Sequence, residues 1–130
     1  MVAFDTNVVV RLLVGDEPVQ TRKADAALRA HAPSEGVFIS LLVLVETAWV
    51  LGQVYGLDRD EVGRRLSSLV RTQGIMVEEP SLVLDALDEV EKGGHDLADV
   101  LIAHVARREG AVPILTFDRK LARMPDVRLL

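Results

Sequence analysis

Five short apolar runs punctuate this chain, each separated from the next by one or more longer stretches with helical spacing. The runs are Val2-Ala-Phe4, Val37-Phe-Ile39, Ile75-Met-Val77, Val112–Thr116 and Val127–Leu129. Between them lie helix signals. Asp5-Thr6-Asn7 offers cap chemistry for a helix to Val14, although Val8-Val9-Val10 alone also suits a strand. Asp16-Glu17-Pro18 opens a helix to about Ala32, with proline near its first position. Ser40 caps a helix to about Tyr55, closed by Gly56. Asp58-Arg-Asp-Glu61 reads as a capping box for a helix to about Arg71. Pro80 opens a helix to about Lys92, Asp96 one to about Glu109, and Asp118–Arg123 forms a short one. Strands alternating with helices predict an α/β domain whose central, mostly parallel sheet is covered on both faces. With 130 residues, 49% of them apolar, the expectation is one domain over 1–130 with a true core.

Charge and cysteine content narrow the chemistry. The formal charge of −5 argues against a broad basic surface that grips nucleic acid by charge alone. It leaves room for a nuclease whose site carboxylates are neutralised by metal. The absence of cysteine removes disulfides, thiolate zinc sites and a cysteine nucleophile, and fits a reducing cytoplasm. Residues 1–10 carry an acid where a signal peptide would be apolar. The stretch Ile39–Tyr55, broken by Glu46, Thr47 and Gln53, is too short and too polar for a membrane span.

Four acids stand at informative places. In parallel α/β sheets, sites gather at the carboxyl ends of strands. Asp5 and Asp118 each follow a strand, Glu46 falls in the second turn of a helix after a strand, and Asp99 in the first turn of its helix. Each has a structural reading too. Asp5 and Asp118 can cap the helices they precede, and Asp96 with Asp99 form an N-cap and an N3 acid. Glu46 resists that reading, because Leu41–Val45 and Ala48–Leu51 make its helix apolar almost all round. Such a helix is expected to be buried, and a buried carboxylate needs a cation, a proton or an arginine. Converged carboxylates cannot all ionise without a cation. Oxygen ligands alone suit Mg²⁺ or Mn²⁺ rather than zinc. Thr6, Asn7 and Thr116, beside the proposed ligands, can orient carboxylates or hold water. His31 and His95 are expected at the surface, and Trp49 in the core or at a dimer contact.

These residues resemble the PIN-domain family, in particular the VapC-type toxin ribonucleases of toxin–antitoxin pairs. The resemblance rests on Phe4-Asp-Thr-Asn7, Ile39-Ser…Val45-Glu-Thr47, Asp96-Leu-Ala-Asp-Val-Leu-Ile-Ala103 and Leu115-Thr-Phe-Asp-Arg-Lys-Leu121. It implies a PIN-like three-layer α/β/α domain. It also implies an acidic site of Asp5, Glu46, Asp99 and Asp118, with Asp99 rather than Asp96 matching the third family acid. A homodimer and a cognate VapB-type antitoxin, in a heterotetramer or larger complex, are further implications.

The expected reaction is metal-assisted hydrolysis of an RNA phosphodiester, with Asp5 and Asp99 the most direct ligands and Glu46 and Asp118 completing the site. Arg11, Arg119, Lys120 and Arg123 are the candidates for flanking phosphates. Two other classes use the same acids: a metal-dependent phosphatase of small phosphoesters, and a non-catalytic module that binds a basic partner peptide.

Overall fold

The computed structural model describes all 130 residues, Met1–Leu130, and the chain divides into two compact units, Met1–Pro80 and Ser81–Leu130. The class is the expected one, mixed helix and strand with every strand pair parallel. Strand pairing falls into one three-stranded and one two-stranded sheet.

The first unit runs β1 (Val2–Ala3), α1 (Thr6–Val14), α2 (Pro18–His31), β2 (Val37–Ile39), α3 (Leu41–Gln53), α4 (Arg59–Val70) and β3 (Ile75–Val77). Its sheet has the order β1-β2-β3, with Val2 opposite Val37 and Val37 opposite Ile75. The ambiguous Val8-Val9-Val10 run is helical. Asp5 provides the reason: its side chain accepts from the Val8 N–H, and Gly15 closes the helix in the left-handed conformation. Ile39, Val37, Leu44, Leu51, Val9 and Leu66 are almost wholly buried and form the core of this unit. α1 packs on α2 and α3, and α3 on α4. The Arg65 guanidinium also donates to the Leu13 carbonyl at 2.5 Å, tying α4 to the end of α1.

One close approach requires a glycine. Gly74, before β3, has φ +87°, and a Cβ there would collide with the backbone of Ala32. Its carbonyl accepts from the Val37 N–H, so the glycine lets the end of α2 lie against the start of β3.

The second unit carries α5 (Pro80–Glu91), α6 (Leu97–Arg108), β4 (Ile114–Thr116), a 3₁₀ turn (Leu121–Arg123) and β5 (Val127–Leu129). Val83, Ala86, Val100 and Ala103 are its best-buried apolar residues. Thr116 pairs with Leu129 in the β4–β5 ladder.

Several sequence expectations need correction. α3 is not buried all round: Leu42 is 82% exposed and Trp49 63%, and Glu46 is exposed as well. At helical spacing 42, 46 and 49 share one stripe, which faces outward, while Leu44, Thr47 and Leu51 face in. Trp49 is therefore not a core residue. The capping box at Asp58 is half formed. Asp58 accepts from the Glu61 N–H, but Glu61 is drawn forward to Arg64 and Arg65 instead of back to the cap. β4 begins at Ile114, and the helix expected over 118–123 is an Asp118-centred turn leading into three 3₁₀ residues. His95 is half-buried, with its Nδ1 enclosed and without a partner, so it is not a plain surface residue.

Candidate functional site

Asp5 is exposed and sits two residues beyond β1 as the N-cap of α1. Its Oδ1 accepts from the Val8 N–H at 3.2 Å, which leaves the second oxygen without a hydrogen bond. Thr6, beside it, is buried, whereas Asn7 is exposed. Glu46 is exposed on α3 and takes no hydrogen bond or ion pair from the chain. It is therefore not a buried carboxylate in need of a partner. Its standing as a candidate rests on position and resemblance.

In the second unit Asp96 caps α6 by accepting from the Asp99 N–H at 3.0 Å. This is the structural role expected for it. The Asp99 carboxyl is pushed above the usual carboxylate range, first by partial burial, then by repulsion from Asp96 and from Asp118; the nearby His95 opposes the shift. Asp118 is exposed in a tight turn. Its N–H donates to the Thr116 hydroxyl at 2.9 Å, and its Oδ1 accepts from Lys120 N at 2.8 Å and Leu121 N at 3.2 Å. The Thr116 bond goes to the backbone of Asp118 and not to its carboxylate, which is ordinary turn bonding. Arg119, Lys120 and Arg123 are exposed.

Arg11 is less available than the sequence suggested. Its guanidinium donates to Gln20 Oε1 at 2.7 Å, to Asp16 at 3.2 Å and to the Tyr55 hydroxyl at 3.1 Å, and Tyr55 in turn donates to Asp16 at 2.9 Å. Sequence reading missed this clamp, since Tyr55 lies 44 residues from Arg11. It also missed Gln20 and Lys23, which line a cavity of about 380 Å³ together with Asp5, Asn7 and Arg11. The spacing of Gln20, Lys23, Ala24 and Ala27 marks one face of α2 and was the available signal.

Within each unit no group of three or more His, Asp or Glu is gathered at ligation distance. The donor chemistry nevertheless fits a hard divalent cation. Every candidate ligand is a carboxylate, cysteine is absent, and Asp99 carries the charge strain a cation would relieve.

Parallel strands define an α/β protein, and in such folds ligands bind beyond the carboxyl ends of the strands, where Asp5 and Asp118 stand. The family model of the PIN domain matches residues 2–127, and the chain belongs to that family. PIN domains are generally metal-dependent nucleases, which makes the chain a hydrolase in kind. None of the curated proteins compared with the chain matches it. No helix is long and apolar enough to cross a membrane.

Proposed function

We propose that the chain, acting over residues 1–130 as one PIN-like domain, is an endoribonuclease and the toxin of a VapBC-type pair. Mg²⁺ or Mn²⁺ would be its metal. The PIN match over residues 2–127 carries this reading. The resemblance implies a site of Asp5, Glu46, Asp99 and Asp118, and the raised Asp99 supports a role in cation binding.

Asp5 and Asp99 would hold the metal, with Asp118 and Glu46 completing the site. When bound, the metal supplies an activated water near neutral pH and neutralises charge on the phosphoryl oxygens. The residues themselves do the rest. Asp5 is fixed by its cap bond, which holds the carboxylate at the start of α1 with one oxygen free. Asp118 is fixed by three backbone bonds in its turn. The Glu46 carboxylate, exposed and unpaired, is suited to orient the attacking water and take its proton. Arg119 and Lys120, exposed beside Asp118, are suited to flanking phosphates.

The outward stripe of α3, with Leu42 and Trp49, supports a homodimer or an antitoxin contact, since large exposed apolar residues on one stripe mark association surfaces. The test is to map new RNA ends after induction of wild type and of Asp5→Asn, with metal binding followed by calorimetry. Wild-type-specific ends and loss of both cleavage and growth inhibition in Asp5→Asn are expected. Full metal-dependent RNase activity in a folded Asp5→Asn protein would sink the proposal.

A further inference from the structure

The cavity of about 380 Å³ between α1 and α2 has the size of a small-ligand pocket and mixed chemistry. One wall is apolar and shallow: Val8 from α1, and the small side chains of Ala24 and Ala27 from α2. Small residues at successive turns of α2 leave room for a flat ring. The polar side holds two cations of very different status. Arg11 is spent on Asp16, Gln20 and Tyr55. Lys23 is exposed, and neither a hydrogen bond nor an ion pair engages its ammonium. Asn7, also exposed here, offers both a donor and an acceptor to a base edge.

We propose that this cavity is a nucleotide subsite. It holds one nucleotide of the RNA strand adjoining the phosphodiester that is cut, with a phosphate on Lys23 and the base against Val8, Ala24 and Ala27. Asp5 lines the same cavity, which places the subsite beside a proposed catalytic acid. The assignment rests on the nuclease reading of that acid. Lys23, rather than the already engaged Arg11, is then the residue of the first unit that binds substrate charge.

The test measures steady-state cleavage of a short fluorescein-labelled single-stranded RNA in Mg²⁺ over a range of salt. Wild type is compared with Lys23→Ala, Lys23→Arg, Ala27→Leu and Arg22→Ala. Arg22 is the control, an exposed cation on the same helix that does not line the cavity. Lys23→Ala is expected to raise KM about fivefold with kcat unchanged, and to lower the slope of log KM against log salt by about 0.7, the value for one single-strand phosphate contact. Lys23→Arg should restore most of both. Ala27→Leu should raise KM at an unchanged melting temperature and an unchanged salt slope, because it narrows the cavity without removing charge. Arg22→Ala should move KM by less than about twofold, as a screened surface charge does. Equal effects from Lys23→Ala and Arg22→Ala, or no effect from Lys23→Ala, would overturn the subsite while leaving the nuclease reading intact. Wild type that fails to cleave RNA with metal present would overturn both.

Discussion

Asp5 caps α1 and is also the proposed metal ligand, and one pair of substitutions divides the two roles. Its Oδ1 satisfies the Val8 N–H, one of the donors that α1 cannot satisfy internally. Asn at an N-cap accepts the same bond about as well as Asp, whereas Ala cannot accept it. Asp5→Ala should therefore cost about 1 kcal/mol. Asp5 is exposed, so water partly replaces the lost acceptor and keeps the cost from exceeding that figure. For a chain of this size 1 kcal/mol corresponds to a fall in melting temperature of about 3–5 °C. Asp5→Asn should stay within about 1 °C of wild type, since the cap is retained. Both variants remove the charge and should lose cleavage equally. The assay pairs thermal unfolding by circular dichroism with RNA cleavage in Mg²⁺. If Asp5→Asn melts as low as Asp5→Ala, the cap bond is not what holds the start of α1. If the variants differ greatly in cleavage, the charge is not what the reaction needs.

Other predictions are independent of that one. Asp96→Asn keeps the cap on α6 and should leave both melting temperature and cleavage near wild type; loss of cleavage at unchanged melting temperature would put Asp96 in the site. Gly74→Ala should destabilise by about 2–4 kcal/mol, from the left-handed φ and the collision with Ala32, read as a shift in urea midpoint. Leu44→Ala, at a site with no exposure, should cost about 3 kcal/mol by the same measure. The Glu35 carboxyl is lowered from its ordinary 4.5 to about 2 by hydrogen bonds from Ser34 and His31. Its folded pKa is depressed, so its contribution is present above about pH 4.5 and fades as pH falls toward 2. Carboxyl NMR should find that low titration, and Ser34→Ala should move it back upward.

Local signals carried most of the fold, and the failures have a common cause. Caps at Asp5, Ser40, Asp58 and Asp96 were readable because an N-cap bond spans only three residues of sequence. Helix and strand type followed from apolar spacing. Burial of Glu46, and the core alternative for Trp49, failed because composition around a helix does not say which stripe other elements cover; α3 is apolar enough that its outer stripe resembles core. His95 and the Arg11 clamp were missed because each depends on residues far along the chain or on enclosure. For the site, the acids were legible as positions after strands. The sequence pattern did not reveal that Asp99 is the one whose charge is strained, because that depends on burial and on Asp96 and Asp118 together. Nor did it single out Lys23, whose distinction is its place on the cavity lining beside Asp5.

The outward position of Trp49 makes the protein its own optical reporter. It is the sole tryptophan, and it is 63% exposed on α3. Its indole is already largely hydrated in the native chain, so unfolding should shift its emission little, and fluorescence will be a poor gauge of folding here. Anything that settles on that stripe should instead move the emission to shorter wavelength from a single known position. A concentration series would then register self-association without a label, and the midpoint of the blue shift would give its dissociation constant.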